Sequence, residues 1–144
     1  MVRSGLLERV KKVLAGFEVV EFSGIEPNPR VSSVNAAAKL AREQKVDFIV
    51  AVGGGSVIDA SKAIAAAVKY EGDAWDLVKD GSLIKDALPL FSVLTLAATG
   101  SEYDAPGVIS NMQTNEKQAI SSPLLFPKAS FCDPSVSVSA VSYT

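Results

Sequence analysis

The sequence predicts an α/β chain: a doubly wound, Rossmann-like and mostly parallel sheet with flanking helices and one small β-hairpin. Three observations predict it. Residues 48–52 (FIVAV), a continuous apolar run, read as a strand buried on both faces, the habit of a parallel sheet, and residues 90–96 (LFSVLTL) read as another buried strand. Each run leads into a cluster of glycine and hydroxyl residues, Gly53-Gly54-Gly55-Ser56 and Thr99-Gly100-Ser101. Helical periodicities alternate with the apolar runs and are joined by short loops, the order of βαβ units.

The elements follow in turn. Leu6, Leu7, Val10, Val13 and Leu14 recur at helical spacing, giving one apolar face. Gly16 stands where a C′ glycine would stop that helix. Residues 17–22 (FEVVEF) read as a strand. Glu26-Pro27-Asn28-Pro29 forbids regular structure, because each proline lacks a donor and pushes its predecessor towards extended geometry. A second helix runs from Val31, with Val34, Ala37, Ala38 and Ala41 inward and Lys39, Arg42 and Glu43 mostly outward. After the strand at 48–52 and its glycines, Ser56 opens a helix carrying Val57, Ile64 and Val68. Past the strand at 90–96, Val108-Ile109 and Ala119-Ile120 flank a polar stretch and read as a hairpin. Residues 129–132 make a last short strand before Asp133-Pro134. No internal repeat or linker appears.

Composition narrows the function. With 144 residues there is room for one domain with a proper core. An apolar fraction of 48%, with 10 Gly and 7 Pro, excludes a disordered or collagen-like chain. Net charge is −2 and there is no basic run, which argues against a nucleic-acid partner. No apolar stretch is long enough to cross a membrane as a helix, and residues 1–7 carry no signal-peptide pattern. The lone Cys132 excludes an internal disulfide, suits a reducing compartment and reads as a small buried hydrophobe. A cytoplasmic location is expected. The chain has no histidine, which removes Cys₂His₂ and His₃ metal sites and every His-assisted nucleophile.

Two motifs carry chemistry. Gly53-Gly54-Gly55-Ser56-Val57-Ile58-Asp59 is a strand–glycine turn–helix element. Its backbone amides and helix N-terminus suit a phosphate. It is not a Walker loop, and Ile58 stands where the dinucleotide fingerprint has its third glycine. The plainer alternative is a packing turn with Ser56-x-x-Asp59 as a capping box, Asp59 being a helix-start carboxylate. Thr95, Thr99 and Ser101 gather hydroxyls beyond the second buried strand. These suit a ribose or pyrophosphate, or else satisfy backbone groups where the strand ends. Asn28 between two prolines is a ligand contact or a turn, and Lys117 alone is a solvated charge. Trp75 reads as a packing anchor and Asp133 as a turn former.

Taken together, Pro27-Asn28-Pro29, the glycine turn with Asp59 and Lys62, Thr95-x-x-Ala-Thr99-Gly100-Ser101-Glu102, Val108-Ile109, Lys117 and Asp133-Pro134 resemble the iron-dependent alcohol dehydrogenases. The branch they resemble is that of the butanol-dehydrogenase-like, NAD(P)H-dependent aldehyde reductases. The resemblance runs from about Val2 to Pro134 and rests on motif order and spacing. It implies a nucleotide-binding α/β domain, followed in the family by a larger helical domain that holds a divalent metal, iron or zinc. It further implies that Gly53, Gly54, Gly55 and Ser56 cradle the cofactor pyrophosphate and that Asp59 lies beside the cofactor. Thr95, Thr99 and Ser101 would line the nicotinamide and ribose, and Asn28 and Lys117 would also touch NAD or NADP.

The family begins with an extra strand and a glycine-rich turn that helps to choose between NAD and NADP; this chain starts at Met1-Val2-Arg3, just after it. Ala97 stands where a proline is common, and Ala140-Val141 where Leu-Pro is usual. Thr144 precedes the expected metal-binding Asp and His residues. Residues 1–144 are therefore expected to be one dinucleotide-binding domain, short at both ends relative to the family, with no catalytic or metal-ligating residue of its own. The expected function is the cofactor half of an enzyme passing hydride between NAD(P)H and a small alcohol or aldehyde. The alternative is a stand-alone dinucleotide- or phosphate-binding module without catalysis, and a third is an interaction domain that keeps only the fold. Without the family's early strand, residues 17–22 and 48–52 either pair directly or leave an apolar edge, which predicts a homodimer or higher oligomer.

Overall fold

The computed structural model describes residues 5–137; Met1, Val2, Arg3, Ala140-Val141 and Thr144 lie outside them. Its elements are α1 (Leu6–Val13), α2 (Val31–Glu43), β1 (Ile49–Gly53), α3 (Gly55–Ala67), α4 (Ala74–Lys79), β2 (Leu90–Leu94), β3 (Gly107–Asn111), β4 (Glu116–Ile120) and β5 (Ala129–Phe131). Three strands form a parallel sheet in the order β1-β2-β5, and β3 and β4 form a separate antiparallel hairpin. The register places Ala51 beside Ser92 and Gly53 beside Leu94, so the glycine turn and the hydroxyl loop leave the sheet from adjacent strand ends.

Helix α3 organises the core. Ile58, fully buried, packs with Ala51, Leu90 and Leu94 on one face of the sheet. Its other faces meet α2, α4 and the hairpin through Ala60, Ala63, Ala66 and Ala67, which cluster with Val34, Trp75, Leu77, Ile109 and Ile120. Small side chains let these elements approach closely. A Cβ on Gly107 would stand 3.1 Å from the Asp59 carbonyl oxygen, so β3 lies against the helix backbone. As expected, α2 buries Val34, Ala37, Ala38 and Ala41. Trp75 is the anchor of α4, whose first turn is capped by the Asp73 carboxylate accepting from the Trp75 N–H at 2.8 Å.

Several sequence expectations need correction. Residues 17–22 form no strand and belong to no sheet. Phe17, Val19, Val20 and Phe22 are all exposed, and aromatic edges link the segment to the sheet: Phe17 on Phe48 at 5.6 Å, Phe48 on Phe91 at 5.9 Å. β-branched and aromatic residues favour a strand but do not make one without a partner ladder. Residues 17–22 do not pair with residues 48–52, and β1 is an outer strand among the described residues. Nor is β1 buried on both faces. Ala51 and Gly53 face α3, whereas Val50 and Val52 alternate to the other side and are half-buried.

Helix α1 buries only Leu6, while Val13 is exposed, so its apolar face finds little cover among the described residues. It ends at a Leu14 cap with ordinary negative φ; Gly16 is not left-handed and does not form the expected C′ stop. Cys132 is exposed rather than buried, because it follows the short outer strand β5. Asp133 does form a turn, its carboxylate accepting from the Ser135 N–H at 2.9 Å. The Ser135 hydroxyl first, and then that backbone bond, hold the Asp133 carboxyl below the ordinary aspartate range.

Candidate functional site

The site is built where α3 leaves β1. Gly54 is the N-cap of the helix, in an extended conformation, and no side chain caps the first turn. The Ser56-x-x-Asp59 capping box of the plainer alternative therefore does not form. The N–H groups of Val57 and Ile58 return to the Gly54 carbonyl at 3.0 and 3.2 Å. Those of Gly55 and Ser56 have no acceptor among the described residues. Two unspent amides at a helix N-terminus are a ready cradle for an anion.

The three glycines serve different ends. A Cβ on Gly53 would stand 2.6 Å from the Val57 side chain, and one on Gly55 would stand 2.5 Å from Thr99 Oγ1. Gly53 thus admits the first helical turn, and Gly55 admits the hydroxyl loop. At Gly54 a Cβ would meet only Leu96, at 3.9 Å. That face of the turn is open, and there backbone alone approaches whatever binds.

Thr99 packs on Gly55, which brings the hydroxyl cluster onto the glycine turn. Thr99 Oγ1 and Ser101 Oγ share a hydrogen bond of 2.8 Å across Gly100, whose φ of +76° makes the tight bend. Ser101 is buried to 4% exposure. One hydroxyl proton is consumed by this pair and the other is not. Thr95 stands at the head of the same loop, its N–H on the Gly53 carbonyl at 3.0 Å and its carbonyl accepting from Ser137 Oγ at 3.2 Å.

Asp59 turns its carboxylate to the hairpin: Oδ2 accepts from the Val108 N–H at 3.0 Å, while Oδ1 is buried with no partner among the described residues. A buried oxygen with spare lone pairs is costly unless a donor arrives. The hairpin then reaches the proline turn, because the Ser110 N–H donates to the Pro29 carbonyl at 2.8 Å. Asn28 takes a left-handed φ of +57°, and Lys117 Nζ donates to its Oδ1 at 2.6 Å. The two residues, 89 apart in sequence, meet at the surface. Lys117 is therefore not an isolated solvated charge.

Sequence reasoning missed two ties that hold this framework. Lys62, quoted only as part of a motif, is fully buried and donates to Asp104 and the Pro106 carbonyl. Ser92 donates to Ser130 at 2.7 Å, and Ser130 to the Glu102 carbonyl at 2.6 Å. The alternation of β2 signals the inward face of Ser92; nothing local signals the rest. Among the described residues no three Asp, Glu or Cys side chains gather as metal ligands, and no helix is long and apolar enough to cross a membrane.

Comparison with known proteins places this arrangement. Residues 1–134 match the family described as iron-containing alcohol dehydrogenase. A probable NADH-dependent butanol dehydrogenase of Bacillus subtilis is 57% identical over 134 residues, 92% of this chain and 35% of its own length. An NADPH-dependent aldehyde reductase of Escherichia coli is 48% identical, again over 92% of this chain and 35% of its own. The crystal structure of NADH-dependent butanol dehydrogenase A from Thermotoga maritima superposes with a TM-score of 0.93 at 45% identity, covering 96% of this chain and 35% of that one. A sulfoacetaldehyde reductase from Bifidobacterium kashiwanohense in complex with NAD+ superposes at 0.90 with 33% identity, over 96% and 37%. The chain thus spans about a third of the length of these relatives. With its glycine turn, hydroxyl loop and parallel sheet, it belongs to the iron-containing alcohol dehydrogenase family.

Proposed function

We propose that this chain is the nucleotide-binding part of an oxidoreductase that passes hydride between NAD(P)H and an alcohol or aldehyde. The observation that carries the reading is the uncapped start of α3, with the Gly55 and Ser56 amides unspent and Thr99 seated on Gly55. In this reading the pyrophosphate lies over Gly53–Gly54–Gly55–Ser56, where the amides and the helix dipole oppose its charge. Thr95, Thr99 and Ser101 offer hydroxyls to the ribose and nicotinamide. Asp59 lies beside the cofactor, and Asn28 and Lys117 hold another part of the same molecule. Bound there, the dinucleotide would supply the hydride; the chain's residues bind it and orient it.

A chain without histidine has no imidazole to offer a metal. The described residues do not gather a ligand set, so no metal-assisted step is derived from them. In this reading the metal and the alcohol or aldehyde are held outside this chain. The relatives named for NADH and for NADPH make both cofactors worth titrating. Nuclear magnetic resonance with NADH and then NADPH tests the placement. Shifts should centre on the amides of Gly54, Gly55, Ser56, Thr99 and Ser101. Saturating additions that leave these amides unmoved would remove the reading.

The open outer edge of β1 supports self-association in a cytoplasmic setting, by strand addition or by exchange of α1 and the segment after it. Light scattering at micromolar concentration should then give more than the 15.1 kDa of one chain. A stable monomer would contradict it.

A further inference from the structure

Lys62 sits in mid-α3 with no exposed surface, among alanines. Its Nζ donates to Asp104 Oδ1 at 2.6 Å and to the Pro106 carbonyl at 2.7 Å. Asp104 is itself 48% exposed, so the pair is buried at one end and wet at the other. A buried ammonium is costly to desolvate, and an apolar side chain of similar volume is often as stable in its place. The cation is therefore poorly explained by packing. What its two acceptors share is their place in the loop that begins with Thr99 and Ser101.

That loop is held at alternate residues. Ser130 fixes the Glu102 carbonyl, Lys62 fixes the Asp104 carboxylate, and Lys62 also fixes the Pro106 carbonyl. Two residues further on, the Val108 N–H is held by Asp59 of the same helix. Upstream of these ties the chain makes its left-handed bend at Gly100, and the Thr99–Ser101 hydroxyls bond to each other. The side chains offered to a ligand thus hang from a loop whose position is set by α3, the helix that also forms the glycine turn.

We propose that Lys62 is a positioning residue for the dinucleotide. By anchoring Asp104 and Pro106 it holds the Thr99–Ser101 hydroxyl pair against the glycine turn, and so sets affinity for the nicotinamide–ribose end of the cofactor rather than for its phosphates. The proposal rests on the cofactor placement proposed above. It separates two ligands: NADH needs both the turn and the loop, whereas ADP needs only the turn.

The test titrates NADH and ADP calorimetrically into the full chain and into Lys62→Met, Asp104→Ala and Asp104→Asn. Lys62→Met keeps the volume of the buried side chain. It should weaken NADH by about tenfold or more, 1.4 kcal/mol by the affinity scale, and leave ADP unchanged. Asp104→Ala, at a half-exposed position, should act in the same direction and serves if Lys62→Met does not fold. Asp104→Asn keeps an oxygen acceptor for the ammonium and should restore NADH binding towards that of the wild type. Hydrogen exchange read without ligand should quicken at residues 99–106 in Lys62→Met and stay slow in α3. Loss of NADH and ADP in equal measure, or NADH affinity and exchange like the wild type's, would overturn the positioning role alone. A wild-type chain that binds neither nucleotide would remove the cofactor placement, and the proposal with it.

Discussion

The two faces of the parallel sheet are made of similar residues and are treated differently. On one face Ala51, Leu90 and Leu94 meet the fully buried Ile58 of α3, and behind it lie the alanine face of the helix, α2, α4 and the hairpin. On the other, Val50, Val52, Phe91 and Val93 are half-buried, and a ladder of three phenylalanine rings leads out to exposed Phe17. The comparison teaches that stability and site construction sit on the α3 side. That helix packs the sheet, presents the glycine turn from its first residue, and holds the hydroxyl loop and hairpin through Lys62 and Asp59.

The largest effect that sharpens this contrast is on stability. Ile58→Ala should cost about 2–5 kcal/mol, because it empties a filled site between helix and sheet. Val20→Ala, in the exposed segment after α1, should change stability by less than about 0.5 kcal/mol. Urea unfolding of both variants makes the measurement. Equal costs would break the distinction between the two faces.

Next in size is the contact between turn and loop. Gly55→Ala places a methyl 2.5 Å from Thr99 Oγ1. Overpacking of this kind costs about 1–3 kcal/mol, and NADH affinity should fall with it. Adding Thr99→Gly should relieve the clash and recover thermal stability without recovering affinity. Recovery of both would mean that Thr99 only fills space.

The smallest effect is titration at the proline turn. The Glu26 carboxyl lies below the ordinary carboxylate range, held there by its own backbone N–H first, then by the Ser33 hydroxyl at 2.8 Å and the Arg30 cation. A carboxyl depressed by folding adds stability that is fully present above its unfolded pKa and is lost as pH falls through the folded one. Urea midpoints should therefore drop as pH falls below the ordinary glutamate range, and Glu26→Gln should flatten that part of the curve. An unchanged slope in Glu26→Gln would assign the acid sensitivity elsewhere.

The legible and illegible parts of this molecule divide along physical lines. Residues 48–52 and 90–96 announce strands because a parallel sheet wants mostly apolar side chains, and Val34, Ala37, Ala38 and Ala41 announce the buried face of α2 by period alone. The glycine and hydroxyl clusters are legible because few other sequences suit a strand end that must leave backbone bare. Residues 17–22 mislead because their β-branched and aromatic composition is a local signal, whereas a strand needs a partner. The capping box misleads because Asp59 is taken up by Val108, 49 residues away. Cys132 misleads because its residue type speaks for burial and its place after an outer strand does not. Lys62 is silent for a similar reason: its partner lies 42 residues on, and no pattern near it distinguishes a buried cation from an exposed one.

The central claim is that the bare backbone of the glycine turn is where the cofactor is held. Gly54 tests it most directly, because a side chain there meets only Leu96 at 3.9 Å and the backbone is already extended. Gly54→Val should fold with a modestly lower thermal midpoint, since a β-branched residue accepts that extended conformation but caps the helix less well than glycine. Calorimetric titration of NADH should show saturable binding by the wild-type chain and a loss of about tenfold or more in the variant. Equal NADH affinities for a folded Gly54→Val and the wild type would contradict the account and move the site away from the turn.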